Sequence, residues 1–294
     1  MIEYNMPLYR PPAEANSFIL QVTLGCSYNK CSFCTMYENK EYKVRKLEDI
    51  LDEIEVMARL KPDTKRVFLA DGDVLNVDAV HILKILDALL LNFPKLQRVS
   101  AYASAFNLVK KTNEELILLK EKKLSLVYYG IESGDFELLK AIDKSIKPTK
   151  MIEGLNKASD AGLKISAMVI LGLGGKSRSK EHINNTAALI NACKISYLST
   201  LELGFEKNRK DLFYKRFEKK LGEFTFLTQE EMLKEQVLLI SLINPSKAVI
   251  FRSNHASNTF ALKGVLPKDK LRLIDELNFV LKNYDLSSTK MSFE

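Results

Sequence analysis

The chain has 294 residues, 46% of them apolar and 28% charged, with four cysteines and a net charge of +7. That balance describes a chain able to bury a sizeable core, and it excludes disordered and disulfide-stapled classes. The longest apolar stretch, residues 81–93, is broken by Lys84 and Asp87, short of the roughly 20 apolar residues a spanning helix needs, and residues 1–12 carry Glu3, Arg10 and three prolines where a secretory signal has its apolar core, so a cytoplasmic location is expected.

Runs of β-branched and aromatic residues at 17–23, 66–70, 98–103, 124–131, 163–171 and 195–201 predict six strands. Between them, Leu47, Ile50, Leu51, Ile54 and Met57 predict a helix with one apolar face, and Val80, Leu83, Leu86 and Leu90 predict a second. A capping box of Thr112 and Glu115 starts a third helix; Pro148 opens a fourth that Gly162 closes. A fifth covers 181–193, where Cys193 continues the apolar stripe Ile183, Ala187, Ile190 and reads as core; His81 and His182 fall in helical segments with charged neighbours. The alternation implies parallel β/α units, arranged as an open doubly wound sheet or an incomplete barrel. Either way, functional loops belong at the carboxyl ends of the strands.

The repeat ends near residue 205. Lys207, Arg209, Lys210, Lys215, Arg216, Lys219 and Lys220 then surround Phe213, Phe217 and Leu221 at helical spacing, which reads as a solvated amphipathic helix, with phosphate binding as the alternative. A second capping box, Thr228 with Glu231, opens a helix that stops before Pro245. An apolar run at 248–251 predicts a strand, followed by a polar loop and a last helix over about 268–283. The chain thus divides into a lead-in (1–16), the repeat core (17–205) and an extension (206–294), with no Gly/Ser linker between them.

Cys26, Cys31 and Cys34 crowd into nine residues directly after the first strand, a ligand pattern at an active-site address. Thiolates suit iron–sulfur clusters and zinc. Three protein ligands leave one iron of a four-iron cluster open, whereas structural zinc asks for a fourth Cys or His, and none stands nearby.

This triplet, with Phe33 just before the last cysteine, resembles the cluster loop of the radical S-adenosylmethionine (SAM) superfamily, here as C-x4-C-x2-C in place of the usual C-x3-C-x2-C. The resemblance implies an α/β fold, a partial (β/α)6 TIM-type barrel over roughly 17–205 with a C-terminal α/β extension. It implies a [4Fe-4S] cluster on Cys26, Cys31 and Cys34, SAM chelated by the open iron, and Phe33 against the adenine. The expected chemistry is reductive cleavage of SAM to a 5′-deoxyadenosyl radical that abstracts hydrogen from a substrate. Asp71-Gly72-Asp73, after the second strand, stands where family members receive the SAM ammonium group, and Ser104 is a weaker SAM contact. Glu132 in Gly130-Ile131-Glu132-Ser133-Gly134 is assigned to the ribose or methionine part of SAM, with a helix N-terminal charge as the bland reading. Gly172, in the glycine-bearing end of the fifth strand, is placed beside the adenine, with a simple turn as the alternative.

In the extension, Arg252, Asn254, His255 and Asn258 follow an apolar run and are expected to face the barrel mouth as substrate-binding or radical-quenching groups, or else to bond their own loop backbone. Tyr37 is expected near the mouth, as a hydrogen-atom relay, a substrate platform or packing. The lack of a second cysteine triplet or a preceding domain argues against methylthiotransferase and cobalamin-dependent branches, and the longer cluster loop against coproporphyrinogen oxidases. Expected partners are a small-molecule substrate and a reductant such as flavodoxin or ferredoxin, without a membrane. The alternative from another class is a zinc-containing nucleic-acid-binding protein using the basic helix at 207–220.

Overall fold

The computed structural model describes residues 3–205 and 207–286. In chain order the elements are β1 (Phe18–Gln21), β2 (Thr23–Leu24), β3 (Lys43–Val44), α1 (Leu47–Leu60), β4 (Arg66–Ala70), α2 (Ala79–Asn92), β5 (Arg98–Tyr102), α3 (Ala105–Lys110), α4 (Asn113–Glu121) and β6 (Leu124–Glu132). They continue with α5 (Phe136–Ala141), α6 (Pro148–Asp160), β7 (Lys164–Leu171), α7 (Gly175–Ala192), β8 (Tyr197–Glu202), α8 (Lys207–Leu221), α9 (Gln229–Leu242), β9 (Val249–Ser253), β10 (Leu262–Leu266) and α10 (Lys270–Asn283). The fold is mixed α/β, dominated by parallel β/α units, and it forms two compact units.

The first unit comprises residues up to Asn29, Met36–Tyr129 and Glu153–Ile165. Its strands run β1-β4-β5-β6, all parallel, with Phe18 beside Val67, Val67 beside Val99 and Ser100 beside Leu126. Leu20, Val67, Phe68, Leu69, Val99 and Ala101 are wholly buried, and each large aliphatic side chain withdrawn from water contributes about 1.5–3 kcal/mol. The capping box at α4 is formed in both directions, Glu115 N–H to Thr112 Oγ1 at 3.1 Å and Thr112 N–H to Glu115 Oε2 at 2.7 Å. The buried face of α2 is Ile82, Ile85, Leu86 and Leu89, while Val80 is exposed. The expected face was misplaced at Val80, which shares its side of the helix with Lys84 and Asp87, four and seven residues on, and is exposed with them.

The second unit comprises Lys30–Thr35, Gly130–Ile152 and Ser166 onward. Its strands run β7-β8-β9-β10, parallel except for the final antiparallel pair. Strand β10 lies inside the stretch expected to be a polar loop; Leu262-Lys263-Gly264-Val265-Leu266 is short and interrupted by glycine, which hid its alternation. Helix α7 begins at Gly175, six residues before the expected start, because its polar first turn shows no apolar period and is held from outside, by Lys176 N–H on Thr225 O (2.9 Å) and by the Arg178–Asp135 ion pair. The second expected capping box is present: Thr228 and Glu231 exchange bonds of 2.7 and 3.2 Å. Phe213 and Phe217 are wholly buried under α8, as an amphipathic helix requires; the Lys207 side chain lies outside the described residues. Cys193 is buried, and burial pushes its thiol up to about 12, so it stays protonated. Among the described residues no helix is long and apolar enough to cross a membrane.

One glycine in this unit is fixed by a close approach. A Cβ on Gly134 would strike the carbonyl of Asn185 and come within 2.7 Å of Thr186 Cα, both backbone atoms of α7. Gly134→Ala is expected to cost roughly 2–3 kcal/mol in urea unfolding, since backbone cannot give way as a side chain can. A loss under about 0.5 kcal/mol would show that the loop moves freely.

Candidate active site

In the first unit the carboxyl end of β4 meets the loop that carries Cys26. Asp71 is completely buried; its carboxylate accepts the Gly25 N–H (3.1 Å) and forms an ion pair with Lys40 (3.0 Å), whose ammonium also reaches Asn5 O at 2.6 Å. Asp73 accepts from the Ser27 hydroxyl and from Asn107 Nδ2 (2.6 Å), and burial raises its carboxyl above the ordinary range. The two carboxylates therefore hold the residues immediately before and after Cys26. Gly72, between them, donates its N–H to Gly25 O (3.0 Å) and lies against Tyr37: a Cβ there would fall 2.5 Å from the Tyr37 ring and 3.1 Å from Cys26 Cβ. Tyr37 is buried, with its ring edge-on to Tyr9. Asn29 sits at φ 41°, a left-handed conformation that asparagine tolerates, and its Nδ2 donates to Tyr37 O at 2.7 Å. Ser104 caps α3 by accepting the Asn107 N–H (3.2 Å).

In the second unit Cys31 and Cys34 share one tight turn, with the Cys34 N–H on Cys31 O at 3.2 Å. The turn is anchored from behind. Ser32, completely buried, donates both its N–H (3.0 Å) and its hydroxyl (3.1 Å) to Ile142 O, just past α5. Two residues on, the Lys144 ammonium lies 5.9 Å from the centre of the Phe33 ring and 2.9 Å from Glu132 Oε1. Glu132 takes φ 60°, unusual outside glycine, and its carboxylate folds back over Gly130, where any Cβ would collide with it. Phe33, Lys144 and Glu132 thus form one contiguous group.

The neighbouring Ser133 is buried in a network whose proton positions follow from its donors. His182 Nε2–H donates to Ile170 O (3.0 Å), which leaves Nδ1 of the neutral ring to accept the Ser133 hydroxyl (2.8 Å), while Ser133 Oγ accepts the Asp135 N–H (2.9 Å). Burial pushes the pKa of His182 down to about 4, which keeps the ring neutral at ordinary pH. One residue beyond Leu171, the Gly172 N–H donates to the carboxylate of Glu235, which also accepts the Ser179 hydroxyl (2.7 Å); burial pushes this carboxyl up to about 7. Gly172 itself needs φ 75°. The end of β7 is consequently pinned on both sides of Leu171.

Beside it lies a cavity of about 370 Å³ lined by Phe33, Thr35, Ile170, Leu201, Glu202, Leu203, Gly204, Phe205, His255 and Ser257. His255 Nδ1 accepts the Ser257 N–H at 3.1 Å, which leaves the ring proton on Nε2. Glu202, buried, accepts from Thr259 N–H (2.6 Å) and hydroxyl (2.8 Å). Asn258 does not line the cavity; it ties the loop to β8 by donating to Thr200 O (2.8 Å) and accepting the Glu202 N–H (3.1 Å). Arg252 and Asn254 are exposed and likewise outside the lining. Lys40, Lys144, His182 and Glu235 were not singled out from sequence. An isolated polar residue in a helix or loop carries no pattern, although the pairing of one histidine with an apolar helix stripe at Ile183, Ala187 and Ile190 was a usable sign for His182.

None of the three cysteines of the triplet is in a disulfide, and all three are half-buried. That donor set fits an iron–sulfur cluster with one open iron. Among the described residues no three His, Cys, Asp or Glu side chains gather as a single metal ion would require, so the zinc alternative gains no support.

Comparison with known proteins places the chain in a class. The profile of the Radical SAM superfamily matches residues 20–190, more than half of the chain. The chain belongs to the radical SAM superfamily, enzymes that use a [4Fe-4S] cluster and S-adenosylmethionine. Among curated relatives, a putative methylthiotransferase of Methanocaldococcus jannaschii is 27% identical over 166 residues, covering 53% of this chain and 35% of the relative. A GTP 3′,8-cyclase of Listeria monocytogenes is 27% identical over 161 residues, covering 52% and 45%. The chain thus spans less than half the length of these relatives. In structure it is similar to coproporphyrinogen III oxidase HemN of Escherichia coli, a radical SAM enzyme, with a TM-score of 0.56 at 14% identity over 76% of this chain and 51% of that one. That likeness extends to the fold, a partial TIM-type barrel.

Proposed function

We propose that this chain uses a [4Fe-4S] cluster held by Cys26, Cys31 and Cys34 to cleave SAM reductively, giving methionine and a 5′-deoxyadenosyl radical that takes hydrogen from a small-molecule substrate. The observation that supports it best is the cavity. It is bounded by Phe33 and Thr35 of the cysteine turn and by His255 and Ser257 of the extension, so a molecule in it touches both.

The contacts support the remaining roles. Phe33, Glu132 and Gly172 contact SAM, with Glu132 oriented by Lys144 and Gly172 by Glu235. Asp71, Gly72 and Asp73 serve the same site by fixing the loop around Cys26, and Ser104 by ordering α3, whose Asn107 holds Asp73. Tyr37 acts through packing on Gly72. His255 Nε2–H is the group that binds substrate or moves a proton, and Asn258 holds its loop in register; Arg252 and Asn254, exposed just before His255, are assigned to the substrate side. Apolar walls from Ile170, Leu201, Leu203 and Phe205 exclude water from a reactive species. The core is residues 17–205, after a lead-in at 1–16, and the extension at 206–294 supplies the substrate side. Flavodoxin or ferredoxin is the reductant, and a reducing compartment such as the cytoplasm suits three cysteines outside any disulfide.

Anaerobic reconstitution with iron and sulfide tests this reading. The wild type is expected to bind about four irons per chain and to release 5′-deoxyadenosine with dithionite. Cys31→Ala should lose both, while His255→Ala should keep the iron but no longer incorporate deuterium into 5′-deoxyadenosine from deuterated cell extract. A colourless wild type holding one zinc would overturn the assignment, and wild-type deuterium transfer in His255→Ala would remove that residue from it.

A further inference from the structure

We propose that the basic face of α8 is the docking surface for a small acidic electron-transfer protein that reduces the cluster. The proposal rests on the reading above. Residues 207–220 hold seven basic and two acidic side chains, an excess of five in a chain whose net charge is +7. The helix is fixed by its other side: Phe213 and Phe217 are wholly buried in an aromatic group in which Phe213 lies 4.6 Å from Phe205 and Phe217 4.9 Å from Phe224. Lys215 and Lys219, one turn apart and facing away from that group, are exposed and form no ion pair among the described residues. Arg216 and Lys220 repeat the spacing. Like charges at this spacing cost a helix a few tenths of a kcal/mol, and for Lys215 and Lys219 no ion pair among the described residues offsets it.

The position of the face decides what it is for. Arg216 pairs with Asp143 (3.2 Å) and Lys220 donates to Lys140 O, so α8 is seated on the same short segment whose Ile142 carbonyl holds the turn of Cys31 and Cys34. A partner bound to this face stands close to the cysteines, and opposite charge would steer it there. The step balances as a single electron: a flavodoxin hydroquinone becomes the semiquinone, or a reduced ferredoxin the oxidised form, and the cluster accepts the electron.

The test compares the reconstituted wild type with Lys215→Glu/Lys219→Glu, after circular dichroism has shown both folded. Titration calorimetry with an acidic flavodoxin and with an acidic ferredoxin should give tight binding of at least one to the wild type, weakening steeply with salt. The double variant should bind at least about tenfold more weakly, with the rate of cluster reduction by that donor falling in step. Formation of 5′-deoxyadenosine with dithionite, too small to need docking, should stay the same. Equal binding by both proteins, binding of neither donor to the wild type, or occupation of the face by duplex RNA or DNA in place of the donors would overturn the proposal. Failure of the wild type with dithionite would instead overturn the radical SAM reading, so the two failures are distinct.

Discussion

Replacing Lys40 by Met should lower the stability of the protein by about 3 kcal/mol, because it strands a buried charge. The Asp71 carboxylate is fully buried and the Lys40 side chain only 4% exposed, with 3.0 Å between them. Without the ammonium, the carboxylate keeps the Gly25 N–H at 3.1 Å and a long contact to Gln21 Nε2 at 3.4 Å, too little to replace a countercharge. The loop before Cys26 should loosen in consequence, so iron retained after reconstitution should fall as well. Asp71→Asn added to Lys40→Met removes the stranded charge, and the double variant is expected to be more stable than Lys40→Met alone. Urea unfolding of the two single variants and the double closes the cycle. A coupling below about 0.5 kcal/mol would mean that the pair is solvated and that Asp71 is not held by Lys40.

The second large effect is a pair of opposed pH dependences at the end of β7. The folded His182 titrates at about 4, against 6.5 when exposed, so between these values the unfolded chain binds a proton that the folded chain refuses. Its contribution is complete above pH 6.5 and is lost as pH falls toward 4, about 3 kcal/mol in all at 1.36 kcal/mol per pH unit. Glu235 runs the other way. Its folded carboxyl titrates at about 7 against 4.5, so the folded chain keeps a proton that the unfolded chain releases. That contribution is complete below 4.5 and is lost as pH rises through 7. Over their shared window the two slopes cancel in the wild type. His182→Gln should therefore become less stable relative to the wild type as pH rises from about 5 to 6.5, and Glu235→Gln should do the reverse. Urea midpoints at several pH values decide the matter, and slopes of the same sign in both variants would defeat it.

Much of the architecture was legible because strands announce themselves locally. Residues 66–70 and 124–131 combine β-branched or aromatic runs with turn signals, and both capping boxes place a hydroxyl three residues before a carboxylate. Legibility failed where the deciding contact lies far along the chain. Nothing near Gly175 reveals that Thr225 will cap the turn after it. The site divides in the same way. Cys26, Cys31, Cys34 and the glycines are visible because close cysteine spacing and backbone freedom are written in residue types. Lys40, Lys144, His182 and Glu235 become meaningful only beside Asp71, Glu132, Ile170 and Gly172, from which they are separated by 12 to 63 positions. Aspartates that looked available to a ligand's ammonium group have their carboxylates turned to the loop of Cys26, a direction that composition does not encode.

The left-handed turn at Asn29 bears on how such enzymes are counted. A residue at φ 41° leaves the extended backbone and so advances the chain less than an extended residue would, and its side chain holds it to Tyr37 O. The number of letters between two cysteines is therefore an unreliable ruler for the gap between their sulfurs. A pattern search with a fixed gap would pass over any chain that absorbs an insertion in this way, and the census of the superfamily drawn from such searches would be too small by those members.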